Sequence, residues 1–206
     1  LIPFVNERSL YMQQWGFKKQ GKRIEEYMED AKREFRPILK RILEDANRDK
    51  ALNATASYGY WPAAADGNDV IIFDHQDHNK EIVRFKLPRR KPEADGTLGV
   101  CISDFFKDVN DSQRDVIAMQ IVTMGDRASE VSREWFAQNR YQDYMFLHGL
   151  SVECTEGMAE YVHARIRKEL GIAGDDAQDM EKLLQQGYRG SRYSFGYAAC
   201  PRLEDQ

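Results

Sequence analysis

The chain has 206 residues, enough for one domain with a core of its own. Hydrophobic residues make up 42% and charged residues 31%, the balance of an ordinary soluble globular protein, not of a disordered or membrane-embedded one. The 30 basic and 34 acidic side chains alternate along the chain for a net charge of −4, which leaves no basic stripe for nucleic acid or an anionic membrane.

In chain order, the first long periodic segment runs from about Arg23 to Lys50, with apolar residues at helical spacing from Ile24 and Tyr27 to Leu43 and Ala46. Pro37 falls inside it and must either kink the helix or start a second one. The period then changes. Ala54 to Trp61, Val70 to Asp74, Glu81 to Leu87 and Gly99 to Phe105 are short runs rich in β-branched and aromatic residues. Turn signals at Asp66-Gly67-Asn68 and Asp95-Gly96 separate them, predicting an antiparallel meander. Val116 to Met124 reads as a further, buried strand. Helical spacing returns over Arg127 to Asn139 and Gln142 to Leu170, with Gly171 as C-cap, then over a short segment near Ala177 to Gln186. Helices gathered at both ends of a central group of strands predict an α+β fold.

The three cysteines, Cys101, Cys154 and Cys200, are too scattered for a disulfide framework or a zinc cluster and are expected as buried free thiols. No apolar run approaches the 18 residues of a membrane span and no secretory segment is present, so the expected compartment is the cytoplasm. Leu1 in place of an initiator Met suggests a piece of a longer polypeptide.

Few constellations carry chemistry. On the helix from Gln142, an apolar stripe of Met158, Tyr161, Val162, Ile166 and Leu170 faces away from Glu153, Glu156, Glu160 and His163. That second face reads as a solvated surface stripe. Its sharper reading rests on Glu160-x-x-His163, the unit of carboxylate-bridged di-metal bundles, but those sites need two such units and further carboxylates. No metal site is expected. Asp74-His75-Gln76-Asp77-His78 has metal-ligand residue types, yet it sits between two strands and reads as a hairpin connection. No G-x-S-x-G, P-loop or Rossmann fingerprint occurs, and no residue stands out as a catalytic acid, base or nucleophile. The tail from Gly187 to Pro201 combines flexible glycines, aromatic rings and arginines. By composition it suits equally a loop that approaches a planar ligand and forks to a carboxylate, or a structural loop with tyrosines packed on the core.

Arg192-Tyr193-Ser194-Phe195-Gly196-Tyr197 matches the Arg-x-x-x-Gly-Tyr signature of the cobalamin-dependent methionine synthase activation domain, and Ala198-Ala199-Cys200-Pro201 is similar to the family's next segment. Leu1-Ile2-Pro3-Phe4 resembles the family's opening. Tyr60-Trp61-Pro62-Ala63 with Asp66-Gly67-Asn68-Asp69 resembles its strand-turn-strand, and Glu156 with Glu160 to Arg167 its long helix. The resemblance spans nearly all of residues 1–206 in order. It implies a C-shaped α+β single domain with a central, mainly antiparallel twisted sheet flanked by helices, and a shallow site for S-adenosylmethionine. It further implies a role in reductive methylation of cob(II)alamin within a methyltransferase acting from methyltetrahydrofolate to homocysteine. Cobalamin would be held by a neighbouring module of the same polypeptide, the electron would come from a flavodoxin-type donor, and the fragment would not be catalytic alone.

By the same resemblance Arg192 forks to the ligand carboxylate, Glu156 pairs with its ammonium or a ribose hydroxyl, and Gly196 lets the loop approach. Tyr197 sits by the sulfonium methyl, and Tyr193 belongs to the site. Asn6 stands where the family often has an aspartate, and the family's domain continues past residue 206. Those two departures define the alternative: a docking relative that keeps the fold and has lost ligand binding.

Overall fold

The computed structural model describes residues 1–206 except Glu93, Asp95 and Thr97. The architecture is α+β, and the chain folds as two compact units, residues 1–57 with 120–189 and residues 58–119 with 190–206.

The first unit is helical. The N-terminal segment forms α1 (Glu7–Ser9), which runs on as a π-helical turn, Leu10–Gln14. Asn6 caps α1 by accepting the Ser9 amide at 3.1 Å. Two helices follow, α2 (Ile24–Glu34) and α3 (Arg36–Arg48). The break lies at Phe35 because Pro37 has no N–H to offer Arg33. At the second position of α3 that missing donor costs nothing. Then come α4 (Arg127–Ala137), the 29-residue α5 (Tyr141–Glu169) and α6 (Met180–Leu184). α5 ends in a Schellman motif. Gly171, at φ +71°, donates to Lys168 and Ile172 donates to Arg167, which satisfies two terminal carbonyls. The core joins Leu10, Tyr11, Ile42, Val131, Leu147 and Leu150, all fully buried. The Trp15 indole N–H donates to the Phe146 carbonyl at 3.0 Å, tying the N-terminal segment to α5. Gly157 is part of that fit, since a Cβ there would meet the Phe4 carbonyl oxygen at 3.0 Å.

The sheet has the order β3-β2-β1-β4, with β1 (Thr55–Asp66), β2 (Asp69–Phe73), β3 (Glu81–Lys86) and β4 (Asp115–Thr123). The β1–β2 and β2–β3 pairs are antiparallel. Gly67 and Asn68 close the first hairpin between Asp66 and Asp69. Pro62 lies one residue before the β1–β2 pairing begins at Ala63, where its missing donor breaks no bond to β2. The Asp74–His78 segment is the predicted hairpin connection: the Asp74 carboxylate accepts the Gln76 and Asp77 amides, and those bonds hold its pKa down.

Two predicted strands are corrected: β4 is a strand but not a buried one, since none of its residues is buried and Ile121 is 76% exposed. Gly99 to Phe105 is not a strand; it enters a 3-10 turn, Ile102–Phe105, and the fourth strand is β4. The cause is the pairing chemistry of Asp104. Its carboxylate accepts the Cys101 amide and is gripped by both terminal nitrogens of Arg89 at 2.5 and 2.6 Å, which lowers its pKa to about 2. Those side-chain bonds outcompete a ladder. Asp95, in the second predicted turn, lies outside the described residues. The second unit's core packs Ala63, Val70, Ile72, Phe85 and Leu87 with Cys101 and Cys200. All three cysteines are free and buried as expected, and burial raises the Cys154 thiol to about 11.

Candidate functional site

In the second unit the tail is held at two points. Phe195 packs against Phe85 with ring centroids 5.3 Å apart, and Cys200 is buried in the same core. Between them the chain turns back on itself: Gly196 donates to the Cys200 carbonyl at 2.9 Å and Cys200 donates to Tyr197 at 3.0 Å. The Cys200 thiol also donates to the Ser194 carbonyl. Gly196 has φ +91°, a backbone that L side chains rarely adopt, and an added Cβ would meet Leu203 Cδ2 at 2.7 Å. With both flanks pinned, the turn presents Tyr197, which is 71% exposed. Tyr193 is half-exposed and Arg192 half-buried. Of the two compositional readings, packed tyrosines are excluded for these two rings: the core takes Phe195 and Cys200 instead.

In the first unit, α5 presents Glu156 to solvent and leaves Glu160 half-exposed, while Val162 is buried and Met158 packs against the core. The two-faced reading of this helix otherwise needs correction. Glu153 and His163 are buried, and Tyr161, assigned to the apolar stripe, is exposed and packs edge-on against Phe4. The reason is that α5 is covered on more than one side. The N-terminal segment covers Glu153, whose carboxylate accepts the Ser9 hydroxyl at 2.5 Å and the Gln14 amide at 3.5 Å. Burial raises the Glu153 pKa against the opposing pull of those two bonds. The chain after α5 covers His163, whose ring meets Tyr188 edge-on at 5.0 Å. Asn6 is exposed, with its side-chain carbonyl engaged as the α1 cap.

Sequence reasoning passed over the interactions of Arg167. It is 1% exposed, and its Nε and Nη2 fork to Asp176 at 2.7 to 3.0 Å. Its guanidinium lies 3.9 Å from the centroid of the Tyr188 ring. Nothing in helical periodicity points to this, because both partners lie beyond the helix. No group of three or more His, Cys, Asp or Glu suited to a metal occurs among the described residues. One open hollow lies in the first unit beside Phe4, Tyr161 and Lys168, and another in the second beside Tyr60, Trp61 and His75. Neither is lined by the tail, Glu156 or Asn6.

The family model described as the activation domain of vitamin B12-dependent methionine synthase matches residues 1–206. The chain is 37% identical over 215 aligned positions to methionine synthase of Mycobacterium tuberculosis (strain ATCC 25618 / H37Rv), and 36% identical over 216 to that of Mycobacterium leprae (strain TN). Each alignment covers 98% of this chain and 18% of the relative, so the chain spans about a fifth of their length. Among solved structures, the MetH reactivation domain bound to AdoHcy is similar with a TM-score of 0.84 and 24% identity, over 97% of this chain and 62% of that one.

Proposed function

The chain belongs to the activation-domain family of vitamin B12-dependent methionine synthases, and from that premise we propose that it binds S-adenosylmethionine and supports reductive methylation of cob(II)alamin in a longer methyltransferase. The observation that carries the reading is the tail turn, where the Arg-x-x-x-Gly-Tyr residues stand at the surface on a backbone pinned at Phe195 and Cys200. The likeness to a reactivation domain bound to AdoHcy, the demethylated form of the same ligand, supports it.

The residue chemistry fits. When bound, S-adenosylmethionine would supply a sulfonium methyl for the cobalamin that we assign to a neighbouring module, with a flavodoxin-type protein as the proposed electron donor. The ligand presents a carboxylate, an ammonium and a sulfonium, so it calls for a fixed cation and a carboxylate. From the second unit we assign Arg192 to the ligand carboxylate, because a guanidinium offers two parallel donors. Gly196 permits close backbone approach, and Tyr193 and Tyr197 supply exposed ring faces. In the first unit, Glu156 is exposed on α5 and Asn6 is exposed at the α1 cap. No protein acid or base is needed, since transfer from a sulfonium demands positioning above all. We assign the whole of 1–206 to this domain and its parent enzyme to the cytoplasm; no helix among the described residues is long and apolar enough to cross a membrane.

The alternative, a docking relative without ligand, draws on Asn6, whose carbonyl is committed to the α1 cap. Calorimetric titration of S-adenosylmethionine and of AdoHcy into the chain decides between them. One-to-one binding of both supports the proposal. No heat from either, in this chain and in the full-length enzyme, overturns it.

A further inference from the structure

We propose that a hollow of the second unit, lined by Trp61, His75, Asp111 and Asp115, is a docking site for an arginine side chain of a partner protein. It stands apart from the proposed binding of S-adenosylmethionine and does not depend on it.

Two sequence motifs take no part in the tail turn: Tyr60-Trp61-Pro62-Ala63 and Asp74-His75-Gln76-Asp77-His78. The fold brings them together. Residues of β1, of the connection after β2 and of the segment leading into β4 line one open hollow of about 970 Å³. All of them belong to the second unit. Trp61 is half-buried and packs against that unit's core. Its indole lies back over Gly59, where an added Cβ would meet Trp61 Cη2 at 2.7 Å. The His75 ring sits beside it, with centroids 5.8 Å apart. Glycine at 59 thus makes room for an indole laid along the strand, and the imidazole widens the aromatic surface. Ring faces carry negative potential and attract cations, tryptophan most strongly.

The segment before β4 adds charge. Asp111 accepts the Gln113 amide at 2.8 Å and Asp115 the Lys107 amide at 2.6 Å. Each keeps its other carboxylate oxygen for a visitor. Arg114, between them in sequence, is engaged by the chain itself. Its Nε donates to the His78 carbonyl at 3.3 Å and its Nη1 to Val109 at 2.7 Å, and the guanidinium carbon lies 4.4 Å from the Phe73 centroid. What the hollow offers is therefore carboxylate and ring. A planar guanidinium can lay its face on an indole while its edge donates to carboxylates; an ammonium, a point charge, cannot do both. The hollow is open and larger than one side chain fills, so the group arrives on a protein segment rather than as an enclosed small molecule.

The test is a titration of the chain with the capped tripeptide Gly-Arg-Gly, followed by two-dimensional NMR of amide and indole N–H signals. Its lysine and citrulline counterparts serve as controls. The chain has three tryptophans, and Trp61→Phe assigns the Trp61 indole signal. The arginine peptide should shift that signal and the amides of residues 111–115, with a Kd on the order of 1 mM. The lysine peptide should bind more weakly, and the citrulline peptide, planar but uncharged, more weakly still. Trp61→Leu should raise the Kd about two- to five-fold. Asp111→Asn with Asp115→Asn keeps the amide acceptors, removes both charges and should raise it about five-fold; this variant decides the matter if Trp61→Leu does not fold. Equal binding of arginine and citrulline peptides, an unaltered Kd in the double variant, or shifts confined to other surfaces overturns the site.

Discussion

Replacing Arg192 with alanine isolates the contact on which ligand recognition is proposed to turn. Truncating one member of a buried charge pair costs about 2–5 kcal/mol. Arg192 is half-buried on a segment without regular structure, so water screens the contact and the low end applies. A loss of about 2 kcal/mol is about a 30-fold rise in Kd. Arg192→Lys keeps the charge but not the two-pronged geometry, and should recover part of the loss, leaving roughly a 5-fold deficit. Folding should be nearly untouched. A solvent-screened charged contact contributes about 1 kcal/mol or less, which in a chain of this size moves the unfolding midpoint by no more than about 4 °C. The assay is calorimetry with S-adenosylmethionine at 25 °C, with thermal unfolding followed in parallel. Equal affinity of wild type and Arg192→Ala, both folded, would remove Arg192 from the site and leave the tail turn a structural feature.

Gly196→Ala forces a side chain onto φ +91° and toward Leu203, a local strain of about 1–3 kcal/mol; ligand affinity should fall several-fold and the unfolding midpoint by roughly 2–12 °C, and an unaltered Kd refutes the turn's role. Glu153 gives a pH signature. Because burial raises its folded pKa, the neutral form's contribution is complete below the unfolded value near about 4.3 and is lost as pH rises through the folded one. Glu153→Gln, which can still accept from Ser9 and Gln14, should therefore gain stability relative to wild type as pH rises through that window; a pH-independent difference in unfolding free energy contradicts the burial argument. Leu147→Ala opens a cavity at a fully buried position in the first unit's core and should cost about 2–5 kcal/mol. That corresponds to a midpoint drop of roughly 4–20 °C by calorimetric scanning, and a drop below this range would mean the core collapses around the gap.

Local rules made much of this chain legible from sequence. Pro37 lacks an N–H whatever surrounds it, so the helix had to kink or restart there, and it restarts as α3. Gly171 had to close α5 because the αL backbone of a Schellman motif favours a residue without Cβ. Asp66-Gly67-Asn68-Asp69 closes its hairpin through a two-residue turn whose chemistry is local. The Arg192–Tyr197 pattern named the family without any coordinates, since a motif's residue order is itself a sequence property.

What the tertiary structure decided was which surfaces meet. Helical spacing grouped Glu153 and His163 with Glu156 on one polar face, but spacing cannot show that the N-terminal segment and the chain after α5 cover the first two and leave the third in water. Gly99 to Phe105 has strand-like composition, yet Arg89 reaching Asp104 from fifteen residues away turned it into a 3-10 turn. Arg167 became a buried hub only when Asp176 and Tyr188 folded back onto it. The first and third of these outcomes depend on burial by partners distant in sequence and the second on an ion pair across fifteen residues, contacts that exist only once the chain has brought the groups together.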